Sequence, residues 1–270
     1  MSAATARSWL FAPGDRPERF GKAAASGADA VILDLEDAVA PGRKPVARDQ
    51  VGQYLTSNRA FVRINAAGTE WHDDDLRMVT SAPGLLGIVL PKSDSADVVT
   101  SVAEALTAPL VTLIESALGV QNAPAIAAQA TRLAFGNLDF SLDAGTGNDE
   151  TALLYARSVL VLASRAAGLP GPIDGVTTSI DDPAIAARDA AHGRNLGFAG
   201  KLCVHPNQVS VVNSAYSYDS ATVDWACRVV RAAGASGGAA VRVDGQMIDK
   251  PRLELAQRVN AAVLSQEPAL

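Results

Sequence analysis

The sequence predicts an α/β protein: a (β/α)8 barrel of the TIM type with a C-terminal helical extension. Short apolar runs alternate with longer helical segments, and these runs are hydrophobic at nearly every position. This continuous pattern is typical of parallel strands buried on both faces. Eight such alternations fit a closed barrel better than an open, doubly wound sheet. The predicted strands are Ser8–Ala12, Ala30–Leu35, Phe61–Asn65, Gly87–Pro91, Pro109–Glu115, Arg132–Gly136, Ile173–Val176 and Gly200–Val204.

Helix-start and helix-stop residues separate these strands. Pro17 stands in the first turn of one helix, Gly27 ends that helix, and Pro45 begins a second one. Proline suits a first turn because that turn needs no backbone N–H, and glycine suits the residue after the last turn. The later helices are predicted to start at Asn122-Ala123-Pro124, Glu150 and Asp182-Pro183, and to stop before Gly168, Pro170 and Gly197.

The alternation stops after Val204, so the rest of the chain is predicted to be an appendage to the barrel. We expect a barrel catalytic domain over residues 1–218 and a C-terminal lid extension over residues 219–270. The extension is predicted to hold a helix over Asp219–Ala233, a turn at Gly237-Gly238, a strand over Ala239–Val243 and a helix over Lys250–Leu264.

The charge balance and the cysteines exclude several classes of function. The chain has 23 Lys and Arg against 29 Asp and Glu, with no basic run, which excludes a general nucleic-acid-binding protein. Cys203 and Cys227 lack a metal-ligand spacing, which argues against a zinc site or a disulfide framework. No apolar run approaches the ~20 residues of a membrane span, and the first residues lack a targeting pattern. We therefore expect a soluble, cytoplasmic protein with no membrane partner.

Charged and polar residues collect at the carboxyl ends of the predicted strands, where barrel enzymes carry their active sites. One such residue alone would be read as part of a solvated loop, but their concentration at one end of the strands favours a site. The candidates in chain order are Arg16, Glu36, Asp37, Arg63, Asn65, Lys92, Glu115, Asp139 and His205.

Glu115 ends predicted strand 5, and Asp139 follows predicted strand 6. Because neighbouring strands lie about 4.8 Å apart, these carboxylates can reach a common cation. Two carboxylates completed by water and substrate oxygens suit Mg²⁺, and the scattered histidines do not suit zinc. The alternative is two loop acids that face solvent.

Arg63 lies inside an apolar strand, so its guanidinium needs a carboxylate or a substrate as partner. Glu36 and Asp37 are predicted to support the metal site or to neutralise Arg63, and a purely structural ion pair is the alternative. The segment Leu138–Asp149 lacks the lysine of a phosphate-binding loop and is predicted to be a mobile active-site loop. The stretch Trp71–Asp75 is predicted to be an acidic helix start.

Six motifs in order resemble the HpcH/HpaI aldolase and citrate lyase β-subunit family, close to the citrate-lyase-β-like proteins and the malyl- and citramalyl-CoA lyases. The first joins Leu10-Phe11-Ala12-Pro13-Gly14-Asp15-Arg16-Pro17-Glu18-Arg19-Phe20 to Asp34-Leu35-Glu36-Asp37-Ala38-Val39. The others are Val62-Arg63-Ile64-Asn65, Leu90-Pro91-Lys92, Ile114-Glu115-Ser116-Ala117, Val204-His205-Pro206-Asn207-Gln208 and Gly245-Gln246-Met247-Ile248-Asp249. The likeness covers nearly the whole chain.

The resemblance implies Mg²⁺-dependent cleavage of a 3-hydroxyacyl-CoA thioester (malyl-, citramalyl- or citryl-CoA type) into acetyl-CoA and a 2-keto acid. It implies Glu115 and Asp139 as metal ligands, Arg63 as the substrate-binding arginine, and Asp249 as an acid/base residue delivered by a neighbouring subunit. The expected contacts to coenzyme A are Phe11, Arg16, Lys22, Val204 and His205. The assembly is expected to be a homo-oligomer, with trimer and hexamer both open.

Several alternatives stay open at the level of the sequence. The barrel could be a pyruvate aldolase that needs no coenzyme A, a subunit whose substrate arrives on an acyl carrier protein, or a thioesterase that releases free malate. Arg16 and Lys22 favour coenzyme A, because its phosphates need nearby cations. Asn137 and Leu138 depart from the small or acidic residues of many relatives and alter the expected pocket. Asp249 could instead cap the helix that follows it.

Overall fold

The computed structural model describes residues 2–235 and 240–266 and divides into two compact units, with the boundary between Tyr216 and Ser217. The sequence places the domain boundary two residues later, after residue 218. The predicted turn at Gly237-Gly238 and the first residue of the predicted strand, Ala239, lie outside the described residues.

The first unit is a closed barrel of eight parallel strands in sequential order, and the last strand pairs with the first. This architecture confirms the predicted fold class, and each predicted strand overlaps an observed one. The strands are β1 Ser8–Pro13, β2 Ala30–Asp34, β3 Ala60–Arg63, β4 Leu85–Leu90, β5 Leu110–Ile114, β6 Arg132–Phe135, β7 Ile173–Asp174 and β8 Gly200–Cys203.

Nine helices accompany these strands in the described part of the first unit. Asp182 caps one of them by accepting a hydrogen bond from the Ala184 N–H, and Gly197 ends the same helix at φ +109°. The helices are α1 Phe20–Ala24, α2 Lys44–Tyr54, α3 His72–Ser81, α4 Ala96–Glu104, α5 Ala117–Ala127, α6 Asn137–Ala144, α7 Leu154–Ala166, α8 Pro183–Leu196 and α9 Val209–Ala215.

The predicted start of α5 at Asn122-Ala123-Pro124 is wrong. The helix begins at Ala117, because the Ser116 hydroxyl accepts a hydrogen bond from the Gly119 N–H and caps it there. Pro124 lies inside the helix, although proline is rare in a helix interior.

The prediction of a mobile loop over Leu138–Asp149 is also wrong for its first half, which is α6. The Asn137 side chain anchors the first turn of α6, since it accepts from the Val176 N–H at 2.8 Å and donates to the Val176 carbonyl at 3.2 Å. Gly145, at φ +65°, ends the helix in the left-handed conformation that favours glycine.

The core of the barrel has two layers, because successive strand residues point alternately inward and outward. Trp9, Phe61 and Leu202 belong to the cluster inside the barrel, whereas Leu10 and Val62 pack between strands and helices. The interior is therefore filled with side chains, as in other barrels of this type, and the open end is the carboxyl end of the strands.

The second unit is a helix, a β-hairpin and a helix around a small core of its own. Its elements are α10 Ser220–Ala235, β9 Val241–Val243, β10 Gln246–Ile248 and α11 Lys250–Gln266. The two helices and β9 confirm the prediction. The sequence reading missed β10, which has only three residues and pairs with β9 across a tight turn at Asp244 and Gly245, both with positive φ.

None of the helices in the described ranges is both long enough and apolar enough to cross a lipid bilayer. The role of the second unit as a lid stays a prediction.

Candidate active site

A cavity of about 740 Å³ opens at the carboxyl ends of the barrel strands. Its lining joins residues from loops that are far apart in the sequence, as expected for a barrel mouth. Of the candidate residues from the sequence, Phe11, Lys22, Asp37, Arg63, Glu115, Asp139, Val204 and His205 line this cavity.

The buried guanidinium of Arg63 lies in the wall of the cavity and binds three carboxylates. Its Nε and Nη2 atoms each donate to Asp34 at 2.7 Å, and its Nη1 atom lies 3.0 Å from Glu36 and 3.7 Å from Asp37. The guanidinium also stacks over the Phe11 ring, 4.7 Å from its centroid. Burial alone would lower the pKa of Arg63, but Asp34, Glu36 and Asp37 together raise it by more, so the group is always charged.

Asp34 is the partner of Arg63 that the sequence reading missed. It ends β2, Arg63 ends β3, and the strand register places the two residues directly side by side. The sequence signal that could have revealed this pair is an acid and a base at the last positions of consecutive parallel strands. The pair gives Arg63 the bidentate carboxylate contact that best matches guanidinium geometry.

Burial raises the pKa of two further carboxyl groups at the mouth. The pKa of Glu36 rises to about 8, mainly through burial, and Asp37 and Glu115 add to the rise. The pKa of Glu115 rises to about 7, again mainly through burial and against the opposing charge of Lys92. Burial therefore disfavours the ionised form of both groups, and nearby cations stabilise that form.

The Lys92 ammonium lies between three carboxylates that follow three different strands, β2, β5 and β6. Its Nζ atom is 3.7 Å from Glu36, 3.6 Å from Glu115 and 3.5 Å from Asp139. The Lys92 backbone N–H also donates to Glu115 at 2.7 Å. Burial lowers the pKa of Lys92, but Glu115 and the other carboxylates raise it above its ordinary value, so the ammonium stays protonated. Glu36, Glu115 and Asp139 thus surround one position that already holds a positive charge.

Gly136 lets β6 approach Glu115 closely. A Cβ atom at this position would lie 2.5 Å from the Glu115 Oε2 atom, so any larger residue would push the carboxylate away. Asp139 follows in the first turn of α6, the turn that Asn137 ties to Val176. This arrangement brings Asp139 and Glu115 to the same Lys92 ammonium.

A second lysine, Lys44, is buried and fixes the loop that carries Glu36. The Lys44 ammonium donates to the Leu35 carbonyl at 2.9 Å, the Glu36 carbonyl at 2.8 Å and the Asn65 side chain at 2.5 Å. The Asn65 amide in turn donates to Asp75 at 2.6 Å. The candidate Asn65 is therefore a structural link, and Asp75, although it belongs to the predicted acidic helix start, is completely buried.

The candidate contacts to coenzyme A have different surroundings. Lys22 lines the cavity together with Arg19, which the sequence reading missed although it precedes Lys22 by three residues in the same helical stretch. The Arg16 side chain is more than half exposed and lies 4.0 Å from Asp15. His205 accepts a hydrogen bond from the Asn207 N–H through Nδ1 and caps the turn after β8.

Asp249 precedes α11 in the second unit. Its carboxylate accepts a hydrogen bond from the Arg252 N–H at 3.2 Å, which is the capping contact that the sequence left open as an alternative. The contact accounts for an aspartate at this position within one chain, and a role in acid/base chemistry stays a proposal.

The oxygen donors at the mouth fit a Mg²⁺ ion. In the part of the chain that the structure describes, no three histidine, cysteine or acidic side chains form a ready cage for a metal. Mg²⁺ commonly uses one or two protein carboxylates and keeps several waters. The Lys92 ammonium, within 3.6 Å of both Glu115 and Asp139, marks a position at which both carboxylates reach a cation.

A (β/α)8 barrel with acidic and basic groups at its carboxyl-end mouth has the architecture of a barrel enzyme. The protein-family model of HpcH/HpaI aldolase/citrate lyase matches residues 7–206. The chain belongs to this family of enzymes, as the six motifs indicated.

Relatives match almost the whole length of the chain. A citrate lyase subunit beta-like protein of Deinococcus radiodurans is 36% identical over 273 residues, which cover 93% of this chain and 95% of the relative. A (3S)-malyl-CoA thioesterase of Cereibacter sphaeroides is 34% identical over 268 residues, with 94% and 93% covered. The crystal structure of CitE from Mycobacterium tuberculosis with magnesium, acetoacetate and coenzyme A has a TM-score of 0.81, 35% identity and coverage of 96% and 98%.

The pair between Arg63 and Asp34 makes a specific prediction for stability. Asp34→Asn should lower the free energy of unfolding by about 3 kcal/mol, because it leaves a buried guanidinium without its bidentate partner. The matched variant Asp37→Asn removes a carboxylate that is 56% exposed, and it should cost less than about 1 kcal/mol. Urea denaturation of both proteins measures the difference, and equal losses would contradict the assignment of Asp34.

Proposed function

We propose that the protein is a Mg²⁺-dependent carbon–carbon lyase that cleaves a 3-hydroxyacyl-CoA thioester into acetyl-CoA and a 2-keto acid. The substrate class is that of malyl-, citramalyl- and citryl-CoA. The observation that carries the proposal is the convergence of Glu115 and Asp139 on one cation position beside the buried guanidinium of Arg63. The complex of the CitE relative with magnesium, acetoacetate and coenzyme A supports it.

Glu115 and Asp139 would hold the metal ion through their carboxylate oxygens. Bound Mg²⁺ supplies Lewis-acid chemistry, since it polarises the oxygens of the keto-acid part of the substrate and orients them. Glu36 and Asp37 have a supporting role, because their charges are shared with Arg63 and Lys92 rather than directed only at the metal position.

Arg63 would stabilise negative charge on the substrate oxygens. Three carboxylates fix its guanidinium in the cavity wall, so the guanidinium does not have to reorient when negative charge develops in the reaction. Cleavage breaks the bond between carbons 2 and 3 of the acyl chain, and the electron pair passes to the thioester fragment. The proton lost from the 3-hydroxyl group is balanced by a proton that carbon 2 gains.

Asp249 of a neighbouring subunit would supply the proton for carbon 2. A carboxyl group is suited to this step when it is delivered at hydrogen-bond distance from the carbon. In the free chain the same carboxylate caps α11 through the Arg252 N–H, so delivery would exchange this contact for one with the substrate.

The coenzyme A part of the substrate would bind across the mouth. Phe11, Val204 and His205 offer an apolar and aromatic wall, and Lys22 with Arg19 offers cations to the phosphates. Arg16, on the turn before this stretch, would extend the cationic surface outward.

A thioesterase is the second candidate, because the relative from Cereibacter sphaeroides is a (3S)-malyl-CoA thioesterase. The products separate the two functions. With MgCl2 and a panel of hydroxyacyl-CoA thioesters, mass spectrometry should detect acetyl-CoA and a 2-keto acid, and excess EDTA should stop the reaction. Free hydroxy acid with free coenzyme A would identify a thioesterase, and turnover that EDTA leaves unchanged would contradict the metal.

The proposed metal ligands, Glu115 and Asp139, can be tested by substitution. Glu115→Gln and Asp139→Asn should each lower turnover by at least about a hundredfold while the fold persists, because each replaces a charged ligand by a near-isostere. Asp73→Asn, which neutralises an exposed acid on α3, is the matched control and should leave turnover unchanged. Turnover and circular dichroism are measured together. Full activity of both ligand variants would disprove the assignment.

The cations at the mouth make the second prediction. An Arg16→Ala/Arg19→Ala/Lys22→Ala variant should raise KM for the thioester by about tenfold and change kcat by less than about twofold, because contacts to the remote nucleotide contribute uniform binding. Arg165→Ala, which removes an exposed charge on α7, controls for net charge. Steady-state kinetics measure KM and kcat of both variants, and an unchanged KM of the triple variant would show that coenzyme A does not bind at these three cations.

The donation of Asp249 between subunits makes the third prediction. Asp249→Ala and Glu115→Gln should each be inactive alone, but mixed under conditions that exchange subunits they should regain part of the activity. Hybrid oligomers pair an intact Glu115 with an intact donated Asp249. If proven exchange restores nothing, donation between subunits is excluded, and full activity of Asp249→Ala would remove the residue from the reaction.

A further inference from the structure

We propose that the Lys92 ammonium is a built-in counter-ion that competes with Mg²⁺ for Glu115 and Asp139 and thereby weakens the affinity of the site for the metal. The inference rests on the proposed function, because it concerns the same metal site. Lys92 would then set the affinity for the metal without being one of its ligands.

The ammonium stands where a shared cation must stand. Its Nζ atom lies at nearly equal distances from Glu115 and Asp139, 3.6 and 3.5 Å, and it lies 3.7 Å from Glu36. A divalent ion bound by the first two carboxylates would have to occupy the same small volume. A monovalent and a divalent cation repel one another strongly at such a distance, so the ammonium has to leave when the metal binds.

The contacts of the ammonium are loose enough for it to leave. All three distances exceed the 2.7–3.2 Å range that is ordinary for a hydrogen bond. The Lys92 side chain is 44% exposed, whereas the side chains of Glu36 and Glu115 are almost completely buried. The ammonium can therefore turn toward solvent while those two carboxylates stay in place.

The backbone, in contrast, fixes Lys92 at this position. Its φ of +48° lies in the left-handed region, which is strained for a non-glycine residue. The conformation lets the Lys92 N–H donate to Glu115 at 2.7 Å and the Lys92 carbonyl accept from the Asp94 N–H at 3.0 Å. The neighbouring Ser93 is completely buried and donates from its hydroxyl to the Leu90 carbonyl. The backbone N–H and the side-chain ammonium of Lys92 thus both contact Glu115, but a metal ion can replace only the ammonium.

The arrangement has two consequences. Without metal, the ammonium holds together carboxylates that would otherwise repel one another, which keeps the mouth assembled. With metal, the displacement of the ammonium subtracts from the binding free energy, so the site exchanges Mg²⁺ more readily than two carboxylates alone would.

The experiment compares the Mg²⁺ affinity of the wild-type protein, Lys92→Met and Lys92→Arg by titration calorimetry with MgCl2 at about pH 8, which is above the pKa of about 7 of Glu115. Lys92→Met should bind Mg²⁺ at least about tenfold more tightly than wild type, because the competing charge is gone. Lys92→Arg, which keeps the charge, should bind within about threefold of wild type, and Arg165→Met controls for net charge on the exposed face of α7.

Thermal unfolding gives an independent readout of the same competition. Lys92→Met should melt at a lower temperature than wild type without metal, and MgCl2 should raise its melting temperature by more than it raises that of wild type. Unchanged or weaker Mg²⁺ binding by a folded Lys92→Met protein overturns the inference and leaves the proposed function standing. Binding by neither protein overturns both.

Discussion

The ion pair between Arg63 and Asp34 is the interaction on which the candidate site depends. Two strand-end residues in direct register, one acid and one base, hold the positively charged guanidinium of Arg63 at a fixed position below the surface of the barrel mouth. Glu36 and Asp37 can gather there only because that charge offsets their repulsion. Lys44 completes the arrangement from the other side, since it fixes the Glu36 backbone through two carbonyls. The mouth is thus a network of alternating charges rather than a set of separate side chains.

The barrel topology converts this network into one site. Parallel strands in sequential order bring the ends of β2 to β6 to the same rim, so Asp34, Arg63, Lys92, Glu115 and Asp139 meet although more than a hundred residues separate the first from the last. Gly136 permits the close approach of the end of β6 to the Glu115 carboxylate. The motifs therefore follow one another around the rim in the same order as along the chain, because the strands are arranged sequentially.

The fold and most of the rim could be predicted because they follow from local pattern. Continuous apolar runs located all eight strands, and the rule that barrel sites lie at strand ends identified Glu36, Arg63, Lys92, Glu115 and Asp139. The resemblance to the family, which the family model and the relatives confirm, led to the proposed chemistry, which the pattern alone could not indicate.

The misses have a common cause, which is that side-chain pairing across the fold leaves no periodic signal. Asp34 reads as the polar end of an apolar strand, and only the strand register makes it the partner of Arg63. The start of α5 depends on a serine cap, and α6 depends on an asparagine that binds the backbone of a distant loop. From the sequence, Pro124 indicated a later start for α5, and the glycines of Leu138–Asp149 indicated a loop in place of α6.

The proposed function requires that one divalent cation binds between Glu115 and Asp139 at the barrel mouth. The most direct test is a crystal structure of the protein soaked with MnCl2, with the metal located by its anomalous scattering. A single peak about 2.2 Å from a carboxylate oxygen of each residue, with the Lys92 ammonium turned away from both, is the predicted result. A peak bound elsewhere in the cavity, or no peak while Lys92 stays among the carboxylates at saturating metal, would contradict the account.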